Sequence, residues 1–263
     1  MLDTDILEND TKISAEIIRI DDLVNRFGTH TVHDGINLSV YQQEILGIVG
    51  GSGTGKSVLL NCMLGLRTPT SGTVTVLGQD IALQEAGKLS FCQLRWGVLF
   101  QTGALFSGLT VLENVLAPIQ EHAAASPKLM EEIARLKLHM VGLSETAFGK
   151  YPSELSGGMI KRAALARALA IEPKIIFLDE PTAGLDPIGA AEFDELILYL
   201  RAHLDLTVVM ISHDMDSLLT ICDRFAVIVD KIAISGRRDD IIGHSHPWIQ
   251  DYFGGVRGRA ALA

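Results

Sequence analysis

The sequence predicts an α/β protein in which a mostly parallel sheet carries an antiparallel β subdomain and an inserted α-helical subdomain. Two hydrophobic patterns distinguish the two kinds of strand. Continuous apolar runs are typical of parallel strands covered on both faces, whereas polar and apolar residues alternate in half-exposed antiparallel strands. The continuous runs lie at 45–49, 175–178, 208–211 and 225–229, and the alternation lies at 36–40 and 74–76.

Helices are expected after the apolar runs, near 56–66, 189–203 and 214–222. A different block lies between the two halves of the parallel sheet. In it Leu129, Ile133, Leu136 and Met140 recur at helical spacing, and residues 159–170 are rich in Ala, Leu, Lys and Arg. We therefore expect this block to be an inserted helical subdomain.

The length of 263 residues fits one core with an attached subdomain. The predicted division is a tail at 1–12, the antiparallel β subdomain with the first part of the core at 13–100, the helical subdomain at 101–172, the second part of the core at 173–243, and a poorly packed tail at 244–263.

Composition excludes some classes of protein. Hydrophobic residues make up 48% of the chain, but the longest uncharged run, 96–112, contains three glycines and a glutamine, so no transmembrane helix is predicted. The acidic N-terminus gives no secretory signal. The net charge of −10 argues against binding a nucleic-acid backbone. Cys62, Cys92 and Cys222 lie far apart in apolar contexts, which indicates buried, reduced thiols and a cytosolic compartment.

The strongest chemical signal is the glycine-rich segment at 50–57. It fits the pattern G-x-x-x-x-G-K-[S/T], follows an apolar run and opens a predicted helix, which is the context that the pattern requires. Glycines let backbone N–H groups turn toward an oxyanion, and the helix N-terminus adds its positive dipole end. We expect Lys56 to contact the β- and γ-phosphates of a nucleotide and the Ser57 hydroxyl to bind Mg²⁺.

Two carboxylates end the predicted strand at 175–178. Adjacent side chains on a strand point to opposite sides, so Asp179 and Glu180 can serve different roles at the carboxyl edge of the sheet. Asp179 suits the Mg²⁺ shell, and Glu180 suits the polarisation of an attacking water. An acidic turn before Pro181 is the plain alternative.

A second helix start follows at 155–159, where Ser156 is a natural N-cap and Gly157 and Gly158 leave the first N–H groups open to an anion. One nucleotide needs only one such cradle, so this start is expected to serve the nucleotide of another copy. An ordinary capped helix is an equal alternative from these residues alone.

With these three elements in this order, the sequence resembles the ATP-binding subunits of ABC transporters over about 17–243. The resemblance implies a P-loop NTPase (RecA-like) ABC ATPase core that binds ATP and Mg²⁺ and hydrolyses ATP. In its terms, 50–57 is Walker A, 175–180 is Walker B and 155–159 is the signature motif. ATP contacts are implied for Ser156, Gly157 and Gly158 and for Gly50, Gly51, Ser52, Gly53, Thr54, Gly55, Lys56, Ser57 and Val58.

Four more residues gain a role only through this resemblance. Gln101 resembles the Q-loop glutamine that joins Mg²⁺ and the attacking water. Asp186 resembles the D-loop aspartate facing the partner subunit at the ATP site, and His213 resembles the catalytic switch histidine that senses the γ-phosphate. Phe27 resembles the aromatic that stacks on adenine, although by itself it is more typical of a core residue.

The signature motif departs from its usual form, because Met159 stands where that form has glutamine. A glutamine at this position can complete a capping box with Ser156, and methionine cannot, so one reciprocal cap is expected to be lost. Met159 and the segment 99–115 also resemble the ATPases of Mce-type lipid transporters, which include the Mla phospholipid-asymmetry system of Gram-negative bacteria.

That narrower resemblance implies a homodimeric ATPase on the cytoplasmic face of the bacterial inner membrane, within a complex that moves phospholipids between inner and outer membranes. The implied partners are an integral-membrane permease (MlaE-like), an MCE-domain protein (MlaD-like) and a possible STAS-domain protein (MlaB-like). The phospholipid is handled by the complex rather than by this chain, and no nucleic acid is bound. Candidates for the permease-facing groove are Leu105, Phe106, Leu109 and Val111, with core packing of the insert as an equal alternative.

Two other functions stay open. One is an ABC importer ATPase for another substrate such as a polar solute, against which Met159 and 99–115 argue. The other is a non-transport soluble ABC ATPase acting in repair, translation or cofactor assembly. The single Walker A and the acidity of the chain argue against the latter.

Overall fold

The structure is a computed structural model that describes residues 15–81 and 95–255. In these ranges the strands are β1 (Glu16–Phe27), β2 (His30–Tyr41), β3 (Ile45–Gly50), β4 (Ser71–Val76), β5 (Gln79–Asp80), β6 (Trp96–Leu99), β7 (Ile175–Asp179), β8 (Thr207–Ile211), β9 (Arg224–Val229) and β10 (Ile232–Arg237). The helices are α1 (Lys56–Met63), α2 (Val111–His122), α3 (Pro127–Met140), α4 (Glu145–Phe148), α5 (Gly157–Ala168), α6 (Pro187–Leu204), α7 (Met215–Ile221), α8 (Arg238–Ile242) and α9 (Pro247–Gly254), and a 3₁₀ turn spans Pro152–Glu154.

The larger sheet has the strand order β10-β9-β3-β8-β7-β6, with parallel pairing from β9 to β6 and an antiparallel edge strand β10. Every residue of β3 and β8 is buried, as continuous apolar runs require, so the prediction of a mostly parallel sheet is confirmed. The loop after β3 opens at the carboxyl edge of the sheet, where open α/β sheets bind ligands.

The smaller sheet is antiparallel and has the order β2-β1-β4-β5. Its inward residues alternate along β2 and β4 as the sequence predicts, and Ile18, Ile20 and Leu23 of β1 are fully or almost fully buried. They form one hydrophobic cluster with α1 and with Leu46 and Ile48 of β3. The smaller sheet and α1 therefore cover one face of the parallel sheet.

Helices α2 to α5 lie within the predicted helical insert and pack with α6, α7 and α9 in a second cluster on the opposite face. Helix α2 begins with a capping box between Thr110 and Glu113. The buried amide of Asn114 holds the preceding loop through hydrogen bonds to the backbone of Phe106 and Leu109.

The apolar stripe expected on α3 faces the core only in part. Ile133 and Met140 are partly buried and pack against the second cluster, whereas Leu129 and Leu136 are 47% and 56% exposed. The buried residues of this helix are Ala134, Lys137 and Leu138. The spacing therefore predicted the helix correctly and its buried face in part, and it did not predict the inward stem of Lys137, whose Nζ lies 3.6 Å from Glu172 Oε1.

The C-terminal segment differs from its prediction. Rather than a poorly packed tail from residue 244, the chain forms α9, in which Ile249 and Phe253 are buried at 0% and 1% exposure. His246 caps this helix by accepting a hydrogen bond from Trp248 N at 3.2 Å. The tail prediction is therefore wrong for 247–254, and 256–263 lie outside the described residues.

Cys62 and Cys222 are free and buried, as predicted, and Cys92 lies outside the described residues. Across 15–81 and 95–255, none of the helices combines the length and the apolar character that crossing a membrane requires.

Candidate nucleotide-binding site

The loop after β3 has the geometry of a phosphate cradle. Gly53 and Gly55 have φ angles of +77° and +95°, which L side chains adopt only with strain. Gly55 is the N-cap of α1, and a Cβ there would overlap the side chains of Val32 and His33. Gly50 is also constrained, since a Cβ would lie 2.7 Å from the carbonyl oxygen of Ile228. The glycines at these positions are therefore required by the fold of the loop.

Lys56 lies inside this loop and is 7% exposed. Its Nζ donates hydrogen bonds to the carbonyl oxygens of Gly50 at 2.7 Å and Gly51 at 2.9 Å. Burial lowers the pKa of Lys56, and the nearby carboxylates of Glu180 and Asp179 oppose that effect. The ammonium group is thus held at the loop, close to both acidic residues, while Ser57 at the start of α1 is exposed.

Asp179 ends β7 and pairs with Ile211 of β8 at the same edge of the sheet. Glu180 leaves the strand in a left-handed conformation with φ +49°. The direction of its side chain is therefore set by this turn. The sequence predicted instead that strand alternation would set it. Burial raises the pKa values of both carboxyls, and the positive charges of Lys161 and Lys56 oppose the effect at Asp179.

His213 lies directly above Glu180. Its backbone N–H donates to Glu180 Oε2 at 3.2 Å, and its Nε2 lies 3.3 Å from Glu180 Oε1. The side chain of His213 is 55% exposed, whereas that of Glu180 is only 14% exposed. The structure therefore brings the loop lysine, both carboxylates and His213 together at one edge of the sheet.

Gln101 follows β6 with an exposed side chain. Its carbonyl oxygen accepts a hydrogen bond from Lys161 Nζ at 2.5 Å, and the same ammonium donates to the carbonyl oxygen of Glu180 at 2.8 Å. Lys161 is buried at 4% exposure. Sequence reasoning missed this residue, although a lysine among the alanines of the α5 pattern was the available signal.

The second helix start is separate from the loop. Ser156 caps α5 by accepting a hydrogen bond from Met159 N at 3.3 Å, and the described residues record no hydrogen bond between 156–158 and the loop at 50–57. A cleft of about 460 Å³ lies beside it, lined in part by Ser156, Gly158 and Leu185. Asp186 is exposed immediately before α6 and caps this helix by accepting a hydrogen bond from Gly189 N at 2.9 Å.

Phe27 ends β1 and is 45% exposed, so it is not the core residue that its type alone suggested. The guanidinium carbon of Arg67 lies 3.9 Å from the centroid of its ring. The residues expected in the permease-facing groove differ in exposure. Val111 is fully buried, Phe106 is 58% exposed, and Leu105 and Leu109 are partly buried.

Helix α9 reaches the site, which the sequence did not predict. A Cβ at Gly51 would lie 3.9 Å from Trp248 Nε1, and the Trp248 ring stacks on Tyr252 with centroids 4.7 Å apart. The Tyr252 hydroxyl is buried and has no hydrogen-bond partner among the described residues. Burial raises the pKa of Tyr252 to about 12, and the negative charges of Glu180 and Asp214 add to the effect.

Metal binding by protein side chains alone is not supported in the described ranges, where no group of three or more His, Cys, Asp or Glu side chains could hold an ion. The residues present do fit Mg²⁺, because this ion uses one or two carboxylates together with substrate phosphates. Asp179, which is close to the charge of Lys56, and Ser57, the next residue along α1, are the residues that could form such a shared site.

Comparison with known proteins agrees with this geometry. The sequence profile described as "ABC transporter" matches residues 33–183. The chain is 38% identical over 231 residues to the intermembrane phospholipid transport system ATP-binding protein MlaF of Haemophilus influenzae, covering 88% of this chain and 87% of that protein. It is 39% identical over 218 residues to the methionine import ATP-binding protein MetN of Caulobacter vibrioides, covering 82% and 65%. A dimeric ATP-binding cassette solved in a post-hydrolysis state with ADP and Pi superposes with a TM-score of 0.77 at 29% identity, covering 84% and 98%.

Proposed function

Because this chain belongs to the ABC transporter family, we propose that it is the ATP-binding and ATP-hydrolysing subunit of a complex that moves phospholipids between the inner and outer membranes. The observation that carries this proposal is the similarity to MlaF, which spans nearly the full length of both chains. The convergence of Lys56, Asp179, Glu180 and His213 at one sheet edge supports the ATPase activity.

In this proposal the phosphates of ATP bind the backbone N–H groups of residues 50–58 and the ammonium of Lys56. Mg²⁺ would be held by Ser57, Asp179 and Gln101 and would neutralise phosphate charge. Glu180 holds and polarises the attacking water. Its carboxylate is oriented by two contacts from His213, and these contacts support the role of His213 in sensing the γ-phosphate. Phe27 stacks on the adenine from the exposed end of β1.

Completion of the site requires a second copy of the chain. Ser156 caps the start of α5, and Gly184 and Leu185, which precede the exposed Asp186, lie beside Gly157 and Gly158. We place each ATP between the loop of one protomer and residues 156–158 of its partner, with Asp186 at the same interface. The dimeric cassette with ADP and Pi supports this arrangement. Closure assembles the site, and hydrolysis releases it.

The proposed partners are those of a lipid-transport complex at the cytoplasmic face of the inner membrane. They are an MlaE-like permease, an MlaD-like MCE-domain protein and an MlaB-like STAS-domain protein. Phe106, exposed in the loop that Asn114 fixes, is the candidate contact to the permease. The proposed phospholipid path lies in the partners rather than in this chain.

The test of the ATPase mechanism is Glu180→Gln, compared with Lys56→Ala and with Glu121→Gln, an exposed control. Loss of the base should slow hydrolysis by about 10²- to 10⁴-fold while ATP binding persists, and should trap a closed dimer seen by size-exclusion chromatography. Lys56→Ala should lose nucleotide binding or turnover. Full turnover by Glu180→Gln would contradict the role of Glu180.

A second candidate function is import of a polar solute, which the 39% identity with MetN favours. Extraction of the complex from membranes in detergent, followed by mass spectrometry of bound proteins and lipids, separates the two. An MCE-domain protein and phospholipid in the complex support lipid transport, whereas a solute-binding protein supports import. Recovery of this chain without any permease would contradict both.

A further inference from the structure

A buried polar cluster lies behind the phosphate loop, formed by Asn25, His33, Cys62 and Arg67. These residues come from β1, β2, α1 and the turn after α1. Asn25 and His33 are completely buried, and Cys62 is 1% exposed. Polar side chains in such a position are stable only when they are hydrogen-bonded, so the arrangement of protons in the cluster is constrained.

Arg67 fixes the orientation of Asn25. Its Nε lies 3.3 Å from Asn25 Oδ1, and a guanidinium can only donate, so this atom is the amide oxygen. The amide nitrogen of Asn25 then lies 3.0 Å from His33 Nδ1 and 3.4 Å from Cys62 Sγ. Because Asn25 Nδ2 is a donor, His33 Nδ1 must be the acceptor, and the ring proton is on Nε2.

The protonated Nε2 of His33 faces the phosphate loop. A Cβ at Gly55 would overlap this nitrogen, so the imidazole packs directly against the left-handed turn at Gly55. Nε2 is buried and forms no well-aligned hydrogen bond within the described residues, while the backbone of Thr54 and Gly55 lies beside it. Burial lowers the pKa of His33, and this backbone opposes the effect only in part.

The other end of the cluster reaches Phe27. Arg67 binds Asn25 through its Nε and places its guanidinium carbon 3.9 Å from the centroid of the Phe27 ring. A continuous chain of contacts therefore runs from the exposed aromatic at the end of β1, through Arg67 and Asn25, to His33 and Gly55. The Arg67 guanidinium is the charged group that faces His33 across Asn25, and the Cys62 thiol is the other titratable neighbour.

We propose that His33 is a positioning residue of the phosphate loop, whose neutral, Nε2-protonated ring supports the Thr54–Gly55 turn from behind and joins it to Phe27. This inference rests on the proposed function, since the loop must bind ATP for the support to matter. Protonation of Nδ1 would set a donor against the Asn25 amide, which disrupts the cluster. ATP affinity therefore depends on His33 staying neutral.

The test compares His33→Gln, which keeps an amide donor near the position of Nε2, with His33→Met, which removes it. His30→Met, an exposed position on the same strand, is the matched control. We expect His33→Met to weaken ATP binding about tenfold, because it removes the ring that packs against Gly55 and the hydrogen bond that Asn25 Nδ2 donates to Nδ1, while kcat at saturating ATP changes little. His33→Gln and the control should stay within about threefold of the unsubstituted chain.

A second measurement does not depend on any variant folding. The ring ¹⁵N shifts of His33 in the unsubstituted chain should report mainly the Nε2-protonated neutral tautomer at about pH 6.5, where an ordinary histidine is half charged. A charged ring or an Nδ1-protonated ring at that pH would overturn the proposal, and so would ATP affinity in a folded His33→Met equal to that of the unsubstituted chain. If the unsubstituted chain itself fails to bind ATP, the proposed function fails instead.

Discussion

Lys161 offers the sharpest test of how the site is held together, because one buried ammonium joins the backbones of two segments that we propose to be catalytic. Its Nζ donates to the carbonyl oxygens of Gln101 and Glu180 at 2.5 and 2.8 Å. Burial lowers the pKa of Lys161, because the charged form of the side chain is less stable away from water. The nearby carboxylates of Glu180 and Asp179 oppose this lowering of the pKa. The substitution Lys161→Met keeps the length of the side chain and removes both donors.

The expected loss follows from these contacts. A hydrogen bond to a charged group contributes about 1.5–3 kcal/mol, and an unsatisfied buried carbonyl costs about 1–3 kcal/mol. Gln101 is exposed, so water replaces part of its lost contact, and removal of the buried charge offsets another part. We therefore expect the free energy of unfolding to fall by about 2–3 kcal/mol, which lowers the Tm of a chain of this size by about 5–10 °C.

The ATPase rate should fall by more than the loss of folded protein explains. The carbonyl of Glu180, whose backbone is in the strained left-handed region, loses the hydrogen bond from Lys161. We expect kcat at saturating ATP to drop about tenfold or more, as for a misplaced catalytic group. Differential scanning calorimetry and a phosphate-release assay measure the two effects. Lys161→Gln, with one amide donor, should be intermediate, and Lys128→Met, whose side chain is 88% exposed, is the control. A Tm and a rate in Lys161→Met equal to those of the control would refute the reasoning.

Three further predictions concern the fold. Burial raises the pKa of Asp194 from 3.8 to about 6. The folded chain therefore loses stability as pH rises from about 4 to 6, where the unfolded chain has already released this proton. Asp194→Asn should remove this pH dependence and raise the free energy of unfolding by up to about 3 kcal/mol above pH 7, measured by urea denaturation with the exposed Asp216→Asn as control. Phe253→Ala should lower the free energy of unfolding by about 3–5 kcal/mol in the same assay, and a loss under about 1 kcal/mol would mean that α9 is not part of the core. Gly97→Ala should lower the Tm markedly, because its Cβ would overlap the backbone carbonyl of Ala168, and an unchanged Tm would contradict this close approach.

The parallel sheet and the phosphate loop were predictable because their signals are local. A short continuous apolar run between turn residues is typical of a strand covered on both faces, and β3, β7 and β8 are such strands. The loop at 50–57 carries its own glycines and lysine within eight residues, so its conformation follows from a short stretch of chain.

The supporting residues were not predictable for the opposite reason. His33 and Gly55 meet only because β2 passes behind the loop, and the tautomer of His33 depends on Asn25 and Arg67 from two further elements. Helix α9 was missed because its Gly, Pro and His flanks are typical of a loop, whereas its stability comes from burying Ile249 and Phe253 in the core. Sequence spacing records neither kind of tertiary contact.

The conformation of Glu180 shows what these supports are needed for. A non-glycine residue in the left-handed region costs about 1–3 kcal/mol and persists only where its surroundings determine it. Here its N–H donates to Ile211 O at 2.8 Å, its carbonyl accepts from Lys161, and its carboxylate is held by His213. These three contacts come from β8, α5 and the turn after β8. Because Ser156 caps α5, a movement of the helical subdomain that displaces α5 would also act on the backbone of Glu180 through Lys161, and this would couple the proposed base to the helix start that we propose meets the partner's nucleotide.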